Sequence, residues 1–333
     1  MDIECERGKL MKTKVMANDE SIPTIDLSPF FKQSDDEQQK NKAIAGIKQA
    51  CSTYGFFQIV NHGVPLDLIN QSLHLSEAFF SLSDDEKLKS KPNLTAPLPA
   101  GYSKQPPHSP DKNEYLLVFP PDSAFNVYPA NPPGFREVIE EIFYCLRKTG
   151  ALMESILNEC MNLPPGFLKE YNNDRSHDFM VALRYFPGAE NEDTGLTEHE
   201  DGNCVTLVLQ DQVGGLEVCR DGQWIPVTPS TDSIVVNVGD VIQVLSNKKM
   251  KSAQHRVVRA QGKSRHSYAF FYNLEGETWV EPLPQFTTEI GEQPLYRGFK
   301  YKDYQALRMR NKTHPPSNPH DAITINHYAI NSP

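Results

Sequence analysis

The sequence lacks long apolar runs and an excess of positive charge. No run approaches the roughly 18 consecutive apolar residues that a membrane-spanning helix needs. Met1–Glu20 is polar, without the apolar segment of a signal peptide, and the C-terminal residues match no lipidation or peroxisomal signal. The formal net charge of -10 argues against nucleic-acid binding, which requires clustered Lys and Arg. We therefore expect a cytoplasmic protein with neither a membrane nor a nucleic-acid partner.

The cysteines also lack the close spacing that is typical of metal-binding and redox sites. The six cysteines are scattered, and no Cys-x-x-Cys pair occurs. In a reducing compartment such residues behave as small buried hydrophobic side chains, which favours neither a disulfide framework nor a zinc site. The short basic run at Lys248, Lys249 and Lys251 lies between apolar segments and is interpreted as a solvated turn. The chain contains no internal repeat.

Local patterns divide the 333 residues into four segments. Residues 1–20 are expected to be flexible, and residues 21–175 to form an N-terminal domain of helices and short strands. Its longest helix is predicted from about Phe135 to Cys160, because apolar residues recur there at helical spacing. The proline-rich segment 91–133 is too long for a plain connection. It suits either a functional lid or a disordered linker, and its apolar residues favour the lid.

The pattern changes to short strands in residues 176–285. Asp221-Gly222 between two of the runs is a hairpin signal. Strands at this spacing predict an α+β protein with a mainly β core, a double-stranded β-helix (a cupin-like jelly roll) flanked by helices. Residues 286–333 are expected to add a helix near Tyr301–Arg310 and a tail that packs on the core. The seven apolar runs are Phe179–Tyr185, Val205–Gln210, Gly215–Val218, Ile234–Val238, Val241–Leu245, Ala253–Val258 and Tyr268–Tyr272.

Three residues of this core form a candidate metal site. His199 and Asp201 are two positions apart, so on an extended backbone both side chains point the same way. His255 lies in a second strand-like run, which we expect to meet the first across the interior of the barrel. Two imidazoles and one carboxylate on one face of an ion form the facial triad of non-haem iron(II) oxygenases, with open positions for oxygen and a co-substrate.

Arg265 and Ser267 form a second candidate site, ten and twelve residues after His255. They share one face of a predicted strand. A guanidinium can hold a carboxylate through two parallel hydrogen bonds, and a hydroxyl can add a third. This pair therefore suits the distal carboxylate of a 2-oxo-diacid whose other end chelates the metal.

Nearly the whole chain, from about Ile22 to Ala329, resembles the plant family of iron(II)- and 2-oxoglutarate-dependent dioxygenases, which includes flavonol synthase, flavanone 3-hydroxylase and anthocyanidin synthase. Besides the triad and the Arg-x-Ser pair, the motifs that carry the resemblance are Ile22–Leu27, Gly55–Val64, Gly214–Val218 and Val236–Asp240. The resemblance implies Fe(2+), 2-oxoglutarate and O2 as cofactor and co-substrates, with ascorbate as a reductant in vitro. It also implies oxidation of a small plant specialised metabolite or hormone, with release of succinate and CO2. Hydroxylation is the expected outcome, and desaturation or demethylation is the alternative.

One motif departs from the family pattern. Relatives often carry Asn-x-Tyr-Pro before the metal motif, where the Asn and Tyr help to hold 2-oxoglutarate. Here Arg184 stands at the Asn position and Phe186 at the Tyr position. Phe186 has no hydroxyl to donate, so we expect Arg265 and Ser267 to carry most of the affinity, with Tyr185 as a compensating donor.

The substrate-binding residues are predicted from the same resemblance. Tyr102 and Tyr115 of the proline-rich segment are expected to line the pocket together with Phe271 and Asn273. Phe271 matches the residue that stacks on a flavonoid ring in the family, whereas Asn273 replaces a carboxylate found in anthocyanidin synthase. The pocket lysine used on flavonoids is Ala182 here. These two replacements leave a small aromatic, alkaloid or terpenoid substrate as an alternative to a flavonoid.

Two other functional classes use a similar set of ligands. A cupin hydrolase or isomerase could hold zinc or manganese on the same triad, but Arg265 and Ser267 would then have no role. A catalytically inactive relative could bind a small molecule only, but both histidines, the aspartate and the arginine are intact. We therefore favour an active, monomeric dioxygenase.

Overall fold

The computed structural model describes residues 21–31, 37–92, 96, 98–189, 192–313 and 321–330. The prediction for residues 1–20 lies outside these ranges. The helices are α1 (Glu37–Thr53), α2 (Leu66–Phe80), α3 (Asp84–Leu88), α4 (Phe135–Cys160), α5 (Phe167–Tyr171), α6 (Asp240–Leu245) and α7 (Tyr301–Thr313). Short 3-10 helices lie at Ser28–Phe30, Pro284–Phe286, Thr288–Ile290 and Ile325–Tyr328.

The strands of the described residues form two main sheets and one small pair. In chain order they are β1 (Thr24–Asp26), β2 (Phe56–Val60), β3 (Gly101–Lys104), β4 (Asn113–Val118), β5 (Phe179–Tyr185), β6 (Thr194–His199), β7 (Val205–Gln210), β8 (Leu216–Arg220), β9 (Gln223–Pro226), β10 (Ser233–Val238), β11 (His255–Val258), β12 (Arg265–Tyr272), β13 (Trp279–Val280) and β14 (Phe299–Lys300). The larger sheet has eight strands in the order β1-β2-β10-β7-β12-β5-β4-β3, and the smaller has four in the order β6-β11-β8-β9. β13 pairs with β14.

The outer face of the eight-stranded sheet packs against α1, α2 and α4. Alternate residues of β12 point to this face, among them Phe270, whose ring meets Phe143 of α4 edge-on at 5.1 Å between centroids. Gly150 lets α4 approach closely, because a Cβ there would lie 2.6 Å from the ring of Tyr272. Glycine inside a helix costs up to about 1 kcal/mol relative to alanine, and the close helix–sheet packing offsets that cost.

The inner face of the eight-stranded sheet turns towards the four-stranded sheet. Side chains from both sheets make one apolar cluster there, with Tyr185 and Val235 from the larger sheet and Leu216, Val218 and Val257 from the smaller. Two packed antiparallel sheets of this kind are a jelly roll, which confirms the predicted fold class. The functional residues described below lie on this inner face and at its edge.

Several predicted elements are confirmed, and one was assigned the wrong structure. α4 has the predicted bounds, and the β8–β9 hairpin turns at Asp221 and Gly222, both with positive φ. Val241–Leu245, predicted as a strand, belongs to helix α6. Every residue of that helix is buried, so the segment is apolar on all sides and its periodicity does not distinguish helix from strand.

The described part of the proline-rich segment is more ordered than a linker. Its described residues include the β3–β4 hairpin, which completes one edge of the eight-stranded sheet. That sheet also takes β1 and β2 from the predicted N-terminal domain and β5, β7, β10 and β12 from the predicted core. The larger sheet thus spans the predicted boundary at residue 175, which stays a prediction. Among the described residues, no helix is both long and apolar enough to cross a membrane.

Candidate active site

His199, Asp201 and His255 come together at the edge of the four-stranded sheet. His199 ends β6 and His255 begins β11, and the two residues are directly opposite in the antiparallel pair. They therefore meet as neighbours within one sheet, not across the interior as the sequence analysis expected. The Asp201 Oδ1 atom lies 3.7 Å from Nε2 of His199 and 3.8 Å from Nε2 of His255. One ligand atom from each residue thus converges on a common point.

Backbone carbonyls orient both imidazoles. The Nδ1 atom of His199 lies 2.8 Å from the carbonyl oxygen of Thr197, and Nδ1 of His255 lies 3.2 Å from that of Ala253. Because a carbonyl only accepts, each Nδ1 carries the proton and each Nε2 presents a lone pair. Burial lowers the pKa of His199, and the neighbouring His255 lowers it further. His199 is therefore neutral, as a metal ligand must be.

Asp201 is held ionised and in a single orientation. Its Oδ2 atom accepts hydrogen bonds from the Thr206 hydroxyl at 2.6 Å and the Asn237 amide at 2.8 Å, which leaves Oδ1 facing the histidines. Burial raises the pKa of Asp201, whereas the hydrogen bonds from Thr206 and Asn237 lower it, and the pKa lies below its ordinary value. Two imidazoles and one carboxylate on one side of a point fit a divalent transition metal with open positions.

Thr206 and Asn237 were not identified as functional residues from the sequence. Asn237 belongs to the Val236–Asp240 motif, which was the only sequence signal for either residue, whereas Thr206 lies in an ordinary β-strand run.

Gly239 of the same motif lies where two backbone segments approach closely. A Cβ at that position would lie 2.1 Å from the carbonyl oxygen of Asn203 and 3.0 Å from that of Asp201. Only glycine lets this turn lie against the loop that carries the carboxylate.

We expect a Thr206→Val variant to bind a divalent metal about tenfold more weakly, because residues that orient a ligand typically contribute about 10–100-fold in metal affinity. The substitution keeps the shape of the side chain and removes the hydroxyl, which donates to Asp201 at 2.6 Å and accepts from the Asn203 amide at 3.2 Å. Titration of the apo-protein with cobalt(II) measures the change. Thr288→Val, at an exposed side chain of the 3-10 helix Thr288–Ile290, is the matched control. Equal affinities of the two variants would contradict this role of Thr206.

The Arg265 guanidinium is buried, and no carboxylate of the described residues lies within ion-pair distance of it. The residue is 2% exposed, and its Nη atoms donate to Ser267 Oγ at 3.2 Å and to Gln210 Oε1 at 2.9 Å. Its Nε and the Gln210 Nε2 have no hydrogen-bond partner, and no carboxylate among the described residues forms an ion pair with Arg265. A buried unpaired cation is costly, so this arrangement fits an anionic ligand that supplies the missing charge.

Tyr185 lies beside Arg265, whereas Arg184 and Phe186, which flank Tyr185 in the sequence, do not. Tyr185 is directly opposite Arg265 in the β5–β12 pair, and the guanidinium carbon lies 5.0 Å from its ring centroid. Burial raises the pKa of Tyr185, so its hydroxyl keeps its proton and can donate. Arg184 and Phe186 point to the outer face, where Arg184 Nη1 donates to Glu114 at 3.1 Å. Neither residue at the family's Asn and Tyr positions faces the Arg265 site.

Strand β7 links the two sites. Thr206, which holds Asp201, and Gln210, which holds Arg265, lie four residues apart on the same face of this strand. At the usual rise of a β-strand, their Cα atoms are about 13 Å apart. A dicarboxylic acid bound at both sites would therefore lie along this strand.

An apolar wall adjoins the metal end of the inner face. Phe271 is opposite Thr206 in the β12–β7 pair, and its ring stacks on Phe179 with centroids 4.5 Å apart. Val181 and Leu117 continue the same face. The wall, defined by its packed cluster, comprises Ala96, Leu98, Ala100, Tyr115, Leu117, Phe119, Phe179, Val181, Leu183 and Phe271. The structure thus brings two of the four predicted substrate residues, Tyr115 and Phe271, to this wall.

The other two predicted substrate residues, Tyr102 and Asn273, have different surroundings. Tyr102 points to the outer face, where its hydroxyl donates to buried Glu114 at 2.6 Å, so it does not belong to the apolar wall. Asn273 follows β12 and is buried; its amide donates to the His177 carbonyl and accepts from the Tyr301 hydroxyl. The bond from Tyr301 joins the end of β12 to α7. Ala182, at the position of the pocket lysine that the family uses on flavonoids, also packs in the outer cluster.

Comparison with known proteins agrees with this geometry. The model of the 2OG-Fe(II) oxygenase superfamily matches residues 177–274, and that of the non-haem dioxygenase in morphine synthesis N-terminal domain matches residues 22–129. The first match covers the metal triad and the Arg265 site.

Two curated plant proteins are similar over most of their length. A 1-aminocyclopropane-1-carboxylate oxidase of Musa acuminata is 33% identical over 311 residues, which cover 91% of this chain and 99% of the relative. Protein DOWNY MILDEW RESISTANCE 6 of Arabidopsis thaliana is 32% identical over 295 residues, which cover 86% of this chain and 84% of the relative.

Solved structures also share the fold. JOX2 in complex with 2OG, Fe and JA superimposes with a TM-score of 0.77 at 28% identity, over 92% of this chain and 90% of that one. The dioxygenase for auxin oxidation of rice gives 0.75 at 26% identity, over 93% and 100%. The chain therefore belongs to the 2OG-Fe(II) oxygenase superfamily and is a 2-oxoglutarate-dependent dioxygenase that uses iron(II), 2-oxoglutarate and O2.

Proposed function

We propose that this dioxygenase hydroxylates a small plant metabolite or hormone of low polarity, bound against the apolar wall beside the metal site. The observation that supports a 2-oxoglutarate site most directly is the buried Arg265 guanidinium without a carboxylate partner. His199, Asp201 and His255 would hold iron(II), while Arg265, Ser267 and Tyr185 would hold the distal carboxylate of 2-oxoglutarate. Bound iron(II), with 2-oxoglutarate and O2, supplies the oxidising chemistry that yields succinate and CO2.

The residues of the chain have distinct tasks in this proposal. Thr206 and Asn237 fix the carboxylate of Asp201, and the carbonyls of Thr197 and Ala253 fix the imidazoles, so the ligand set is formed before metal binds. The apolar inner face excludes water from the reacting centre. Its Phe271 and Phe179 rings present a flat surface on which a planar or alicyclic substrate can lie.

The apolar wall supports a substrate without a large charge. Its ten members are apolar or aromatic, and the Tyr115 hydroxyl is the only side-chain polar group among them. The names of similar proteins refer to varied small molecules, such as flavanone and auxin. We propose a substrate of that size.

Succinate formation tests the reaction. The protein would be incubated with iron(II), ascorbate, 2-oxoglutarate and a panel of plant metabolites, with succinate and product masses measured. A product heavier by one oxygen atom supports hydroxylation, whereas one lighter by two hydrogen atoms identifies a desaturase. Loss of a methyl group identifies a demethylase. Absence of succinate with every substrate, and of uncoupled turnover without substrate, would support an inactive binding relative instead.

Phe271→Ala should raise the KM for the substrate found in that panel by about tenfold, because loss of an aromatic contact costs on the order of 1.4 kcal/mol. The KM for 2-oxoglutarate should stay near the wild-type value, since Phe271 lies at the metal end of the inner face. Tyr144→Ala, at an exposed aromatic residue of α4, is the control. An unchanged substrate KM would remove Phe271 from the binding surface.

A further inference from the structure

We infer that Arg308 of helix α7 is a positioning residue for the metal site. It would act through the backbone of the loop that joins the ligands His199 and Asp201. The inference rests on the proposed metal ligands and adds a determinant outside the jelly roll. Its basis is a set of contacts that converge on residues 200–202 from one side.

The guanidinium of Arg308 contacts the loop directly. Its Nη2 donates to the carbonyl oxygen of Glu200, the residue between the two ligands. Arg308 Nε also lies 3.7 Å from the position that a Cβ on Gly202 would occupy. The guanidinium therefore lies along the backbone that presents both His199 and Asp201.

A second contact ties the same guanidinium to buried Asp240. Arg308 Nη1 lies 3.6 Å from Asp240 Oδ2, and the Tyr304 hydroxyl of α7 donates to that same oxygen. Asp240 is fully buried, and its backbone N–H donates to the carbonyl oxygen of Asp201 at 2.8 Å. Arg308 thus reaches the loop by two routes, through the Glu200 carbonyl and through Asp240.

The other side of the loop is already fixed. Thr206 and Asn237 hold the Asp201 side chain, and the backbone N–H groups of Gly239 and Val241 donate to the carbonyls of Cys204 and Asn203. The backbone around Glu200 has no such support from the sheets, because β6 ends at His199. Arg308 supplies the missing restraint and so fixes the angle between the His199 and Asp201 donors.

Metal affinity of the apo-protein tests this inference. We expect Arg308→Met to weaken cobalt(II) binding about tenfold, the lower end of the range for residues that orient metal ligands. Arg308→Lys should lose less cobalt(II) affinity than Arg308→Met, because its ammonium can bind either the Glu200 carbonyl or Asp240. It should still bind more weakly than the wild type, because it lacks the forked guanidinium that reaches both. Arg310→Met, an exposed arginine on the same helix, should bind cobalt(II) like the wild type.

Thermal unfolding of the same apo-proteins separates positioning from stability. Tyr304→Phe removes the hydroxyl that donates to Asp240 and accepts from Arg308 Nη1 at 3.5 Å, but it leaves the Arg308–Glu200 contact. It should therefore lower the Tm while cobalt(II) affinity stays near wild type. If affinity fell in proportion to Tm across the Arg308 and Tyr304 variants, Arg308 would be merely structural. If Arg308→Met gave no folded protein, Arg308→Lys with wild-type affinity would equally overturn the inference. Absence of cobalt(II) binding by the wild type would instead contradict the proposed metal ligands.

Discussion

An Asp201→Asn protein is expected to bind a divalent metal at least about a hundredfold more weakly than the wild type, and succinate formation should fall with it. Residues that merely orient a ligand typically contribute about 10–100-fold, and this change removes the only charged ligand. The amide is also incompatible with its surroundings, because Thr206 and Asn237 both donate to Oδ2. An asparagine placing its NH2 group there would face two donors, and one placing its carbonyl there would turn NH2 towards the metal.

The experiment measures cobalt(II) affinity of the apo-protein and succinate at saturating iron(II). Glu198→Gln is the matched control, because it makes the same chemical change three residues away at an exposed side chain. It should leave both quantities unaltered. Tight metal binding by Asp201→Asn would mean that the metal lies elsewhere, and the triad would lose its proposed role.

Replacement of Arg265 by methionine should raise the KM for 2-oxoglutarate by roughly a hundredfold. Truncation of one partner of a buried charge pair costs about 2–5 kcal/mol, and about 3 kcal/mol corresponds to this factor. The KM of Arg265→Lys for 2-oxoglutarate should lie between those of the wild type and Arg265→Met, since lysine keeps the charge but not the two parallel donors. Metal affinity should not change, because Arg265 contacts none of the three ligands.

The stability of the ligand-free protein gives this prediction a second readout. Arg265 is buried with only neutral acceptors, so its removal should leave the Tm of the apo-protein unchanged or raise it. Added 2-oxoglutarate should then raise the Tm of the wild type but not of Arg265→Met. Arg136→Met, at an exposed arginine of α4, should keep the wild-type response. A large fall in apo-protein Tm for Arg265→Met would show that the guanidinium serves the fold.

The metal site was predictable because it depends on short-range spacing. Two ligands separated by one residue share a direction on any extended backbone, and the third lay in a clear strand pattern. The contact between Arg265 and Ser267 was predictable for the same reason. What the spacing did not provide was the strand order, so His255 was expected across the interior although it lies next to His199.

The substrate residues were harder to predict because the face of a strand depends on its register. Tyr102 and Tyr115 both lie in the β3–β4 hairpin, yet one pairs with Leu116 and points outward while the other pairs with Leu183 and points inward. A shift of one residue in the register would exchange the faces on which the two side chains lie.

The role of Arg308 had no local signal in the sequence, because it depends on where α7 docks. Arg308 lies about a hundred residues along the chain from the loop that it contacts.

The position of Thr206 and Gln210 on one strand constrains how this enzyme can change. A single-residue insertion or deletion between them would reverse the direction of one relative to the other, so either Asp201 or Arg265 would lose its partner. Point substitutions can alter the Asp201 site or the Arg265 site independently. The distance between Thr206 and Gln210, however, can change only in steps of two residues, about 6.6 Å, if both side chains are to stay on the same face. The scaffold can therefore acquire new substrates through the apolar wall far more readily than it can exchange 2-oxoglutarate for a longer or shorter diacid.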